Sequence, residues 1–188
     1  MEKNPRCLYE NSIESFLGQE ENSIFGLLCD RYHGDALTTT REAWMSEIQI
    51  MKSVLIPWKE SDGKTIFEYD IPRLGKRIDV VLLLKGIVFV LEFKVGENKI
   101  LENDVDQVLD YALDLKNFHK YSQDKLIVPI LVATKHSSAS SLIQKSVYDD
   151  RVVNPLVTGT DKLQWLIEET VKQFPNENAI DDRWVISP

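Results

Sequence analysis

The sequence predicts an α/β (α+β) fold: a mixed sheet of four to five strands flanked by helices, in the order helix, three strands, helix, strand. Three observations predict it. Residues 65–94 hold three runs of strand character joined by short links, which implies an antiparallel meander. Segments 40–55 and 102–121 on either side carry apolar residues at helical spacing. A further apolar run, Leu126 to Ala133, follows the second helix, and a strand reached through a helical crossover lies parallel to the one before it.

Residues 1–38 read as a helical N-terminal extension, irregular to helical. Ile13, Phe16 and Leu17 share one helical face, Ile24, Leu27 and Leu28 another, and His33-Gly34-Asp35 forms a loop. In segment 40–55, Thr39 and Glu42 have capping-box spacing, Trp44, Ile48, Met51 and Leu55 define a buried face, and Pro57 stops the helix. Ser61-Asp62-Gly63-Lys64 is a turn. The strand Thr65 to Ile71 is expected to place Phe67, Tyr69 and Ile71 on one side and Glu68 and Asp70 on the other. Pro72 and Gly75 mark the next connection, and Lys85-Gly86 joins the strands Ile78–Leu84 and Ile87–Lys94.

The helix 102–121 turns Val105, Val108, Leu109, Ala112 and Leu115 inward and its acids, Asp104 among them, mostly to solvent. Pro129 within the next strand points to an edge or a bulge. Residues 137–150 are serine-rich and then helical, Val152 to Val157 is a short strand, and Thr160 caps a last helix through Leu163, Ile167, Val171 and Phe174. The tail 175–188 reads as irregular. Its apolar finish, Trp184 to Pro188, leads to the expectation of a chain cut from a longer protein.

The 188 residues make one domain: the extension 1–38, a core at 40–134 and C-terminal elements at 135–188. With 43% apolar and 28% charged residues, the chain is globular rather than disordered. Thirty acidic against 22 basic side chains give a net charge of −8, which excludes a general basic coat for nucleic acid. Cys7 and Cys29 form no CxxC pair, and His33, His119 and His136 have no zinc spacing. Two reduced thiols and no apolar signal core lead to the expectation of a cytoplasmic protein. The longest apolar stretch, Ile78 to Phe93, is broken by Asp79, Lys85, Gly86 and Glu92, so no membrane span is expected.

The chemistry concentrates in the hairpin 78–94. Pairing Leu84 with Ile87 sets Asp79 opposite Glu92 and Arg77 opposite Lys94. Opposed side chains stand about 4.5–5.5 Å apart at Cβ. Asp79 shares its expected face with Val81 and Leu83, while Ile78, Val80, Leu82 and Leu84 take the other. Both faces are apolar, so the charges interrupt a buried hairpin. Two carboxylates so placed need a cation between them: either Lys94, in a structural ion-pair cluster, or a hard metal ion such as Mg²⁺. In the metal reading Asp79 and Glu92 are ligands, the Phe93 backbone carbonyl is a further one, and Lys94 serves an attacking water or a phosphate.

Arg77-Ile78-Asp79, then 12 residues, then Glu92-Phe93-Lys94, set in this element order, resembles the PD-(D/E)XK nuclease superfamily with its restriction-endonuclease-like fold. The resemblance covers residues 40–134, with Ile78 where the motif name has Pro. It implies that Asp79 and Glu92 bind Mg²⁺ or Mn²⁺ and that Lys94 assists the nucleophilic water. It also implies a metal-associated Glu on the preceding helix, matched by Glu47 beside the Trp44/Ile48/Met51 face. Gln107 and Tyr111 match the Q-x-x-x-Y motif of RecB-like and lambda-exonuclease-like members, where the Gln lies near the active site and DNA.

Lys76 and Arg77 are candidates for substrate phosphates, or else residues of a solvated turn. The segment from Trp44 through the following helix also resembles nuclease-like regions of bacterial proteins in which a Schlafen-related helicase-type ATPase follows. That resemblance implies a C-terminal helicase/ATPase module as partner. The expected activity is metal-dependent hydrolysis of DNA, with RNA an open alternative substrate. The competing expectation is a non-catalytic nucleic-acid-binding or docking domain of the same fold.

Overall fold

The computed structural model describes residues 6–32, 37–71, 75–137, 150–175 and 177–186. Among the described residues the α-helices and strands follow in chain order: β1 (Tyr9–Ser12), α1 (Ile13–Gly18), α2 (Glu21–Arg31), α3 (Thr38–Leu55), β2 (Gly63–Asp70), β3 (Arg77–Leu84), β4 (Ile87–Lys94), α4 (Glu102–Phe118), β5 (Leu126–Ala133), β6 (Leu156–Thr158) and α5 (Thr160–Gln173). The architecture is α+β. Among the described residues the strands form one mixed sheet in the order β1-β2-β3-β4-β5-β6. Neighbours from β1 to β4 are antiparallel, and β4, β5 and β6 run parallel.

Among the described residues the sheet has six strands, not the four to five expected. The added edge is β1, inside the segment expected to be helical. Its four residues, Tyr-Glu-Asn-Ser, are too short to show alternation, and pairing of Tyr9 with Phe67 holds them in place. The expected loop at 33–35 and the helix within 138–149 lie outside the described residues.

Each face of the sheet is covered. On the first, α1, α2, α3 and α5 pack Phe16, Leu28, Trp44, Ile48, Met51, Leu163 and Ile167 against Phe67, Val80, Leu82, Phe89 and Leu91. On the second, α4 packs Val108, Ala112 and Leu115 against Ile66, Val81, Val88, Val90 and Ile127. β3, β4 and β5 are therefore apolar toward both faces. The turn between β3 and β4 is the two-residue one expected. Lys85 (φ 52°) and Gly86 (φ 81°) both take the left-handed backbone, and Leu84 pairs with Ile87.

Several local expectations need correction. Thr39 and Thr160 cap nothing. Both lie inside their helices, whose N-caps are Leu37 and Gly159 without side-chain hydrogen bonds. Pro129 sits in a strand flanked by β4 and β6, not at an edge. Its absent N–H faces the gap in β6 between the Ile127↔Val152 bridge and the ladder starting at Ile130↔Leu156, so no hydrogen bond is lost. The helix expected to reach residue 121 ends at Phe118, and a 3₁₀ turn, Lys120–Ser122, follows. The tail at 177–186 has no helix or strand, as expected, and it is docked, with Trp184 fully buried against Tyr69 and His119 in the second core. Among the described residues no helix is long and apolar enough to cross a membrane.

Candidate active site

The sheet parts at one end. β3 stays paired with β2 to Arg77 and β4 with β5 to Lys94, but the β3–β4 ladder ends at Val80↔Leu91. Carried one step further, the same register sets Asp79 opposite Glu92, as expected from the hairpin turn. There the side chain replaces the ladder: the Phe93 N–H donates to Asp79 Oδ2 at 2.8 Å. Lys94 turns its carbonyl to Thr134, on the β5 side, so alternation directs the Phe93 carbonyl toward the parting.

A second irregularity coincides with the first. β2 and β3 keep one register from Gly63↔Leu84 to Asp70↔Arg77, yet Glu68 and Asp79 are unpaired within it. Glu68 has φ 56°, the left-handed region that a non-glycine residue enters at a cost of ~1–2 kcal/mol. The pleat reverses there. Phe67 and Val80 pack in the first core, whereas Tyr69 and Ile78 pack in the second. The expected sharing of faces by Phe67 with Tyr69, and by Val80 with Ile78, therefore does not hold.

Both helical layers reach this place. From α3, Glu47 is only 3% exposed. Trp44, one turn earlier, donates its indole N–H to Glu68 Oε1 at 2.8 Å. From α4, Gln107 accepts from Lys94 Nζ through Oε1 at 3.1 Å and donates through Nε2 to the Tyr111 hydroxyl at 2.6 Å. Lys94 Nζ also pairs with Glu92 Oε1 at 3.1 Å and with Asp104 Oδ1 at 3.3 Å. The structure thus brings together Glu47, Asp79, Glu92, Phe93, Lys94, Gln107 and Tyr111.

The electrostatics are those of crowded carboxylates. Burial, then repulsion by Glu68 and Glu92, pushes Glu47 up to about 8. Burial followed by Glu47 and Glu92 holds Asp79 well above the ordinary carboxylate range, against the Phe93 hydrogen bond. Glu92 is raised by burial, with Lys94 opposing. Burial acts to lower Lys94, but Glu92 and Asp104 more than offset it and the net shift is upward.

Among the described residues no three His, Cys, Asp or Glu side chains stand as a ready metal cluster. The donor set nonetheless fits a hard cation. Glu47 Oε2 and Glu92 Oε2 are buried without a hydrogen-bond partner, and one or two carboxylates suffice for Mg²⁺, with water completing the shell.

The two expected phosphate contacts, Arg77 and Lys76, are ion-paired with acids, and each also lies against a residue of the site, Glu68 or Tyr111. Arg77 pairs with Asp70 at 2.9 Å and Glu68 at 3.4 Å, and lies over the Tyr32 ring. Lys76 pairs at 3.7 Å with Asp114 and 3.9 Å with Asp110. Two residues of the site escaped the sequence reading. Strand alternation puts Glu68 on the side away from Phe67 and Tyr69, and its left-handed backbone turns it inward. Asp104 is among the acids of α4 expected to face solvent, although its spacing of three before Gln107 places both on one helical face. In comparisons with known proteins, no family model matches this chain and no curated protein matches it.

Proposed function

We propose that the chain is a metal-dependent nuclease domain of the restriction-endonuclease-like fold, hydrolysing phosphodiester bonds of DNA with Mg²⁺ or Mn²⁺. The observation that carries the reading is the meeting of Asp79, Glu92 and Lys94 at the parting of β3 and β4, where Glu92 Oε2 is buried without a partner, as is Glu47 Oε2 on α3. The run α3, β2–β4, α4, β5 supports the same reading, as does the Gln107–Tyr111 pair seated on Lys94.

Asp79, Glu92 and the Phe93 carbonyl would hold the cation, with Glu47 beside them. When bound, it supplies Lewis acidity at a phosphoryl oxygen and acidifies water. The chain's own groups do the remaining work. The Phe93 N–H orients the Asp79 carboxylate. Lys94 carries positive charge to the mouth of the parting, for the attacking water or a phosphate oxygen. Gln107, itself held by Tyr111, fixes where that ammonium points.

The test is titration of the chain with Mn²⁺ against labelled single- and double-stranded DNA, alongside Glu92→Ala and Lys94→Ala. Metal-dependent cleavage lost in both variants, with folding retained, is expected. Full activity in either removes the assignment, and cleavage of RNA alone would reassign the substrate.

A second reading is a non-catalytic nucleic-acid-binding or docking domain; the pairing of Arg77 and Lys76 with acids leaves less positive charge for phosphates and so favours its docking form. Metal-independent binding without cleavage would support it. Coupling to a C-terminal helicase-type ATPase rests on the sequence resemblance alone.

A further inference from the structure

α4 presents three polar side chains in one stripe, Asp104, Gln107 and Tyr111, spaced so that all lie on one helical face. Two of them touch the same atom, Lys94 Nζ: Gln107 Oε1 at 3.1 Å and Asp104 Oδ1 at 3.3 Å. The remaining anion at that ammonium is Glu92 Oε1 at 3.1 Å. Lys94 is thus shared between a carboxylate of the proposed cation site and one outside it. The backbone on both sides is fixed: Lys94 is laddered to Ala133, and Val108 and Ala112 of α4 are buried in the second core.

Glu92 cannot serve an ammonium and a divalent cation equally. A cation on Glu92 repels an ammonium a few ångströms away, and at 23% exposure water screens the pair only partly. Lys94 then needs another anion, and Asp104 is already within ion-pair distance.

We propose that Asp104 is a positioning residue, a second seat for the Lys94 ammonium, which passes its charge pairing from Glu92 to Asp104 when Glu92 takes up a divalent cation. Gln107 keeps the ammonium in place during the exchange. Lys94 is the counter-ion of Glu92 in the structure, and Asp104 shares it. This inference rests on the metal-site reading above.

Two consequences oppose each other in sign. Removing the ammonium frees Glu92, so Lys94→Met tightens cation binding. Removing the second seat leaves Glu92 as the sole anion at the ammonium, so Asp104→Asn weakens it. An acid in the first turn of a helix also favours the helix dipole, but that effect does not depend on Lys94.

The test is calorimetric titration of the chain with Mn²⁺ alone, without nucleic acid, for wild type, Asp104→Asn, Lys94→Met and the double variant. Asp104→Asn is expected to weaken Mn²⁺ by about tenfold and Lys94→Met to tighten it by about tenfold, the scale of one partly buried ion pair. The Asp104→Asn effect should disappear in the Lys94→Met background. Lys94→Gln, with a shorter neutral side chain, serves if the Met variant does not fold. An Asp104→Asn loss that persists without Lys94, or no effect of Asp104→Asn at all, overturns the second seat and leaves the metal site standing. Absence of Mn²⁺ binding in all four proteins overturns both.

Discussion

The Phe93 N–H donates to Asp79 Oδ2 where the β3–β4 ladder has ended, so one carboxylate completes a backbone hydrogen bond and marks the site. The two roles separate by substitution. Asparagine keeps an acceptor for Phe93, which is 6% exposed, and offers an amide to the carboxylates around it. Alanine leaves the N–H unsatisfied, a cost of ~1–3 kcal/mol. Asp79→Asn is therefore expected to match or exceed wild-type stability at pH 8, and Asp79→Ala to fall below Asp79→Asn by about that amount. Both should lose Mn²⁺-dependent cleavage. Urea denaturation of the three proteins, beside a cleavage assay, checks this. Equal stability of the two variants would mean that the hydrogen bond contributes nothing.

Glu47 is a carboxylate whose folded value, about 8, lies above its ordinary 4.5. The sign follows from linkage. Below pH 4.5 it is protonated folded or unfolded and costs nothing. As pH rises toward 8 the unfolded chain ionises while burial, Glu68 and Glu92 resist ionisation in the fold, so stability is lost across that window. Glu47→Gln removes the penalty. In chelator at pH 9 it is expected to be more stable than wild type by ~1–3 kcal/mol, with the advantage gone near pH 4.5. Mn²⁺ should narrow the gap by stabilising the wild type more. Denaturation at both pH values, with and without Mn²⁺, is the measurement. A gap independent of pH would exclude Glu47 titration as its cause.

The hairpin was legible because its signals were local. Lys85-Gly86 fixes the loop, the loop fixes the register, and apolar residues on both faces leave Asp79, Glu92 and Lys94 as the interruptions. Glu47 was legible from spacing on the face of Trp44, Ile48 and Met51, and Gln107 with Tyr111 from a one-turn motif. Glu68 was not. Period-two reading assumes an unbroken pleat, and a left-handed residue in mid-strand breaks it without changing the register, so the error crosses to Ile78 on the next strand. Nor could Trp184 be read from the tail. Its burial depends on His119 and Ser122, more than sixty positions away in the chain.

At Glu68 the usual ranking of substitutions should invert. In mid-strand, glycine is ordinarily worse than alanine by roughly 0.5–1 kcal/mol. With φ 56° an alanine keeps the backbone strain and glycine relieves it. Both substitutions strip the acceptor from the indole N–H of Trp44, which is 1% exposed. The expected order of stability is wild type, then Glu68→Gly, then Glu68→Ala, with ~1 kcal/mol between the last two. Glu68→Gln, which can still accept from Trp44, should lie closest to wild type. Chemical denaturation of the series tests the order, and alanine above glycine would show that the strand returns to ordinary geometry when the carboxylate is removed.

His119 holds the tail to the second core. Its ring is fully buried, with Nδ1 against Ser122 Oγ at 2.8 Å and Nε2 against the Trp184 carbonyl at 2.9 Å, while the Trp184 indole donates to the same serine at 2.9 Å. Burial brings it down to about 4, opposed by the Trp184 carbonyl and assisted by Arg6. Its folded value thus lies below the ordinary 6.5. Above pH 6.5 the ring is neutral folded or unfolded. As pH falls from 6.5 toward 4 the unfolded chain gains a proton that the fold does not accept, and stability drops across that window, opposite in sense to Glu47. The groups that lose their partners are those joining the tail to the second core, so the loss should appear first in residues 177–186. Hydrogen exchange at pH 7 and pH 5 is expected to show faster exchange of Trp184 and Val185 at the lower pH after correction for intrinsic rates, while β3 and β4 stay protected. His119→Gln, which keeps a donor for the Trp184 carbonyl and does not titrate, should abolish the difference. Uniform loss of protection across the sheet would instead place the acid sensitivity in the fold as a whole.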